Sequence, residues 1–453
     1  MAGATIAFAM RSPTGPSKKT TWRLACAVIG PLILAPALRA QTLPLPTLPP
    51  EQTREAGPTP GTAPPAPERP RRWEYGLGVG AGYDSNIDFR VPDGPSSWAI
   101  SPRGDFSRVF RSPRGELRLG GAGSWVGYPE EKDLNRYNVD AVLDGSYRSS
   151  LNTSWRASAS YGFGYGDSSW VLSEQGVLLP RVKTWTVAGS LGVTRKLGQR
   201  TSFRLDGRIY RTEFDEAEEA AIGLVNGQSL RGTAALERKL GSRDSTAIEY
   251  SLEATLARPV SGTVDGGNQY YLTHFGSLQW SHLLSPRSGF LLEAGASYTP
   301  DAAEAGLDRE ESFYGGATFS RQVKRSSILL FARREVTPAF GLGVSLVENR
   351  FGLTANIPMG RSWWLYLMGI HVVSETPEDT LFSYGTPDEA WVALGWRFAR
   401  SFEISGEGRY RRRSAAGTFP EIEAYQAGIY LSLVNPDRVG PAARLPAAPS
   451  GRR

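Results

Sequence analysis

The sequence predicts an all-β fold: a transmembrane, antiparallel, up-and-down β-barrel of about 18 strands, with 16 as the alternative count. Three observations point there. Long segments alternate strictly between apolar and small or polar residues. The connections between them alternate between short and long. A secretory leader precedes them.

The leader comes first. Lys18, Lys19 and Arg23 form a positive region, the apolar stretch Leu24–Leu34 follows, and APALRA ends at Ala40 before Gln41. A spanning helix needs about 20 apolar residues, so this segment reads as a signal peptide over 1–40, cleaved near Ala40. Its late position makes Met10 an alternative start. The one cysteine, Cys26, lies inside it, so the mature chain is expected to carry no disulfide and no thiolate metal site. Residues 41–72 are proline-rich and read as an extended periplasmic tether, while 435–453 read as a disordered tail.

The barrel is expected over 73–434. In WEYGLGVGAGYD, Trp73, Tyr75, Leu77, Val79, Ala81 and Tyr83 share one face. Glu74, four glycines and Asp84 share the other. A strand has a period of two, so one face suits lipid and the other water. Aromatics at both ends of the apolar face fit the two membrane interfaces. Soluble sandwiches alternate too, but these strands are long and end in aromatics. Strands are expected near 73–84, 96–110, 114–128, 134–149, 152–166, 182–197, 200–213, 228–240, 244–257, 269–283, 288–300, 311–323, 326–337, 345–358, 362–374, 387–399, 401–413 and 422–434. Two of them, 326–337 and 362–374, are partly apolar on both faces.

Short turns such as RSPR (111–114) and LGSR (240–243) are basic, whereas EFDEAEEAA (213–221), PDAAEAGLDREE (300–311) and ETPEDT (375–380) are acidic. Short periplasmic turns and longer outer loops are the expected asymmetry. The runs VLSEQGVLLP (171–180) and AAIGLVNG (220–227) read as apolar loop segments that either fold into the lumen or pack on the rim.

Charge excludes a nucleic-acid partner. Residues 1–72 hold 9 Lys+Arg against 3 Glu, and 435–453 hold 4 Arg against 1 Asp, leaving 38 basic against 41 acidic residues between them. No basic face is left for phosphates. The mean hydropathy of −0.31 suits a barrel, which shows lipid only every second residue.

A barrel this wide is expected to enclose a water-filled lumen. Alternation assigns to its wall Arg103, Arg118, Arg136, Asp140, Asp144, Arg156, Arg204, Asp206, Arg208, Arg231, Glu249, Glu253, Glu293, Glu348, Arg350, Arg397, Glu403, Glu407 and Arg409. The two signs nearly balance, so cross-strand pairing is expected and a strongly anion-selective pore is not. His274, His282 and His371 fall within strands and read as interface or lumen residues. No catalytic triad spacing, metal cluster or phosphate loop is seen, so neither an enzyme nor a cofactor is expected. The chain's expected partners are outer-membrane lipid and the machinery that inserts barrels.

Two strings carry resemblances. Gln426, Gly428, Leu431 and Leu433 resemble the assembly signal of a last barrel strand, although a polar tail follows where that signal ends in an aromatic. Gly82-Tyr83-Asp84-Ser85-Asn86-Ile87 resembles the GYDSN(I/V) element of a group of outer-membrane β-barrel porins, some encoded with exopolysaccharide export systems. That resemblance implies a channel for polar solutes or a secreted polysaccharide, with export components as partners. The strand number is similar to that of alginate exporters, whose strongly basic lumen is not matched. A non-conducting barrel whose acidic loops bind a surface partner is the rival expectation, and an outer-membrane hydrolase the third.

Overall fold

The computed structural model describes residues 73–87, 92–165, 182–215, 225–259, 269–300, 310–323, 326–339, 344–360, 362–375, 387–414 and 421–434. The leader, the tether, the tail, the run 171–180 and most of the acidic loops lie outside them.

Alternation written along the chain becomes 18 strands: β1 (Glu74–Asp84), β2 (Ser97–Ser112), β3 (Gly115–Val126), β4 (Arg136–Arg148), β5 (Thr153–Tyr165), β6 (Lys183–Lys196), β7 (Thr201–Phe214), β8 (Val225–Lys239), β9 (Asp244–Pro259), β10 (Gln269–Ser285), β11 (Ser288–Tyr298), β12 (Glu311–Val323), β13 (Ser326–Ala339), β14 (Val344–Met359), β15 (Trp363–Glu375), β16 (Pro387–Arg397), β17 (Phe402–Arg413) and β18 (Ile422–Val434). Each pairs antiparallel with its sequence neighbours, and β18 pairs with β1 from Gly76↔Val434 to Asp84↔Gln426. The sheet therefore closes on itself. In hydrocarbon every backbone polar group must find its partner within the protein, and closure achieves that.

The links on one side are 2 to 4 residues long. On the other they run from 8 to 17, except between β13 and β14, where only 340–343 intervene. By that asymmetry the short turns mark the periplasmic end. The run 220–227 is not wholly a loop, because Val225, Asn226 and Gly227 open β8. The start of β4 is also later than alternation suggests, since Lys132–Leu134 forms a 3-10 turn.

The outer surface is apolar. Leu77, Val79, Val139, Leu205, Ile248, Leu278, Val392 and Leu431 are all exposed there. Aromatics ring both ends: Phe110, Tyr147, Trp155, Trp363 and Trp396 near the short turns, and Tyr83, Trp98, Trp125, Tyr298 and Tyr425 near the longer loops. Trp363 stacks on Trp396 at 5.6 Å. Rings with an apolar body and a polar edge settle where hydrocarbon meets headgroups. The three histidines join the outer face: His274 Nδ1 lies 2.8 Å from the Tyr250 hydroxyl, His282 2.8 Å from Asp244 and His371 2.5 Å from Asp388.

Candidate functional site

The inner wall begins at the closing seam. On β1 the inward positions between Glu74 and Asp84 are all glycine, so this strand presents bare backbone to the lumen. Its neighbours use the space. The Tyr430 ring from β18 lies over Gly80, where an added Cβ would come within 2.2 Å of the ring. Arg103 reaches from β2 across β1, placing its guanidinium carbon 3.7 Å from that ring's centre and an Nη 2.9 Å from Glu407 of β17. Ion pair and cation–π contact reinforce each other where water is partly excluded.

The upper end of the seam is tied by the GYDSNI element. Asp84 accepts a hydrogen bond from Gln426 Nε2 at 2.6 Å and another from the Tyr128 hydroxyl at 3.3 Å. The Ser85 amide donates to the Tyr425 carbonyl, and the Tyr425 amide donates back to Ser85 Oγ. Asn86 Nδ2 donates to the Glu423 carbonyl at 3.4 Å. Asp84, Asn86 and Ile87 are buried. Short polar side chains that bond nearby backbone normally end strands; here they also join the first strand to the last. Of the residues resembling an assembly signal, Gln426 and Gly428 face inward on this seam, while Leu431 and Leu433 face outward opposite Val79 and Leu77.

Further round, carboxylates and guanidinia form networks across strands. Arg204 of β7 contacts Asp206 at 2.9 Å, Glu237 of β8 at 2.9 Å and Glu249 of β9 at 2.8 Å. Gln279 of β10 extends this chain to Glu293 of β11 at 3.3 Å. Arg231 pairs with Glu253 at 3.4 Å and covers the Phe275 ring at 4.3 Å. Arg350 of β14 sits between Glu348 at 2.5 Å and Glu335 of β13 at 3.2 Å. Arg409 pairs with Glu389 at 2.8 Å and Arg397 with Glu403 at 3.5 Å. Removing one member of the buried pairs, Arg231–Glu253 or Arg350–Glu348, leaves an uncompensated charge, a cost of about 3–5 kcal/mol.

The remaining wall candidates lie on β3 to β7. Arg136 is buried with its guanidinium over Tyr165 at 4.8 Å. Arg118 faces Asp144 in register, and Arg208 faces Ser190 and Arg231. Arg118, Asp140 and Arg156 are exposed. The wall is thus two-sided in character: exposed charge on β3–β5, and charge paired across strands and wholly or partly buried on β7–β10 and β14–β17.

One feature departs from the expected polar lining. The inward face of β15 reads Trp364, Tyr366, Met368, Ile370 and Val372, all at most 6% exposed, clustered with Ala393, Ile422 and Ala424. This strand is apolar on both sides because it meets lipid outside and a packed apolar cluster inside. The signal was present in the sequence as the two-faced stretch 362–374.

No curated protein matches the chain. Among solved structures it resembles the outer-membrane protein OpdK of Pseudomonas aeruginosa (14% identity, 80% of this chain and 98% of that one, TM-score 0.39). It also resembles OccAB4 of Acinetobacter baumannii (8%, 82% and 99%, 0.38) and the siderophore receptor PirA of P. aeruginosa (9%, 81% and 81%, 0.41). A sequence model of the family described as Putative beta-barrel porin 2 matches residues 76–311, from β1 to the first residue of β12. With that match over half its length and a closed barrel of 18 antiparallel strands, the chain belongs to this porin family: an outer-membrane channel for solutes, not an enzyme.

Proposed function

We propose that the barrel passes small polar solutes passively, along the side of the lumen lined by β3–β5, with weak preference between cations and anions. The observation that carries this reading is the exposed sector bearing Arg118, Asp140 and Arg156, opposed to walls where charges neutralise one another. Both signs at an open wall can orient a dipolar solute, and neither is in the one-sided excess that strong selectivity needs. A backbone cylinder of 18 strands tilted at about 40° is about 36 Å across, wide enough for water once side chains are subtracted.

The test is planar-bilayer recording of the purified barrel. A stable open conductance with a reversal potential near zero in a salt gradient supports the reading. A silent barrel would instead favour a surface-binding role for the acidic loops. Passage of a secreted polysaccharide, which the GYDSNI resemblance suggests, is checked separately: a deletion strain that exports normal amounts of surface polymer removes it. We also infer export by a leader cut after Ala40 and insertion by the barrel assembly machinery reading β18. A mature protein beginning at Gln41, lost from the outer membrane when that machinery is depleted, is the expected result.

A further inference from the structure

The β12–β13 ladder stops at Gly315↔Arg334, yet both strands continue, β12 down to Glu311 and β13 on to Ala339. The β13–β14 ladder does not stop; it runs unbroken to Ala339↔Val344. The outer end of this hairpin has therefore left β12 while staying paired with itself. Where it goes is shown by Val336 and Val347, a cross-strand pair on the face that lower down meets lipid. Both are buried, at 2% and 9% exposure, in one cluster with Tyr271 and Phe275, against which Tyr314 packs. Tyr271 and Phe275 sit on inward positions of β10, paired with Thr255 and Ser251. From β13 to β10 is three strands, about 14 Å along the wall. No valine spans that distance from within the wall, so the hairpin end must bend into the lumen.

From this we infer that the outer end of β13–β14, the paired stretches 335–339 and 344–348, is an inward-folded constriction that sets the size limit of the pore. It rests on the channel reading above. Its root is fixed by Arg350, which holds Glu335 and Glu348 together, and by Ser374, whose hydroxyl donates to Glu348 at 3.5 Å. Its far side is the Tyr271–Phe275 platform, itself braced by Arg231 over Phe275. The side of the barrel bearing β10–β14 is thereby filled, and solute is confined to the opposite sector.

The test replaces residues 335–348 by Asn-Gly, a two-residue turn that joins the paired Arg334 and Asn349 flush with the wall. Correct assembly is checked by heat-modifiable migration on a gel. Single-channel conductance is expected to rise about twofold, and liposome swelling to admit larger saccharides. A second variant, Tyr271→Ala with Phe275→Ala, leaves the hairpin intact and removes its platform; a smaller increase is expected. An assembled truncation with unchanged conductance and size limit, beside a conducting wild type, overturns the constriction alone. Silence from wild type and both variants removes the channel reading, and the constriction with it.

Discussion

Arg103 and Tyr430 meet face on, 3.7 Å apart, although a whole strand lies between the ones that bear them. The contact exists because β1 offers Gly78 and Gly80 in that gap. The glycines of the first strand are therefore spacing elements, and filling one should disturb the seam. Gly80→Val is expected to displace the Tyr430 ring and lower barrel stability by about 1–3 kcal/mol, the usual cost of overpacking. The temperature at which the folded gel band converts to the unfolded one should fall. In a Tyr430→Ala background the same substitution should cost much less, a coupling read directly from the double-mutant cycle.

Asp84 makes a second prediction about the seam. It accepts from Gln426, Tyr128 and the Asn86 amide, and it is buried. Asp84→Ala leaves those donors without this acceptor, at about 1–3 kcal/mol. The denaturation midpoint in detergent should drop accordingly. Gln426→Ala should cost less, because Asp84 keeps its other donors. Equal stability of Asp84→Ala and wild type would show that the GYDSNI element does not hold the seam.

The strands and their facing were legible in the sequence because alternation is imposed at nearly every position by two immiscible surroundings. All 18 expected strands lie within three residues of those observed, the widest gap being at Val225, where glycine and asparagine mask the pattern. Which residues share a face follows from the same alternation. What they touch was not legible. Arg204 finds Glu237 and Glu249 at separations of 33 and 45 residues, a matter of register and side-chain reach that a period of two does not encode. Nor does that period report a bend: Val336 and Val347 keep the parity of lipid-facing residues while their hairpin turns inward. The apolar face of β15 was visible only as an anomaly, since periodicity cannot say what an apolar inner face packs against.

Arg204 is the cation among three carboxylates, so its removal has a sign. Arg204→Ala leaves Asp206, Glu237 and Glu249 mutually repelling on neighbouring strands. Because all four side chains are only partly buried, stability should fall by about 1–3 kcal/mol, less than for a fully buried pair. The added negative potential should also move the reversal potential toward that of the cation. Combining it with Glu237→Gln and Glu249→Gln should restore most of the stability and return the selectivity toward neutral.

The exposed sector gives the opposite combination, a change in selectivity with little change in stability. Arg118 on β3 and Arg156 on β5 sit at inward positions on either side of β4, and both are open to solvent. A solvated charge contributes little to folding, about 0–1 kcal/mol even when paired. Within about 8–10 Å, the screening length at ordinary salt, it still acts on a passing ion. Arg118→Glu with Arg156→Glu changes the wall by four charge units where the solute path is proposed. The barrel should assemble normally and melt as wild type does, while the cation-to-anion permeability ratio rises several-fold at 0.1 M salt and much less at 1 M. The matching reversal at Arg409, paired with Glu389 on β16, should destabilise the barrel through like-charge burial. If the Arg118 and Arg156 reversals left permeability untouched, ions would have to pass elsewhere, and the β3–β5 path would be wrong.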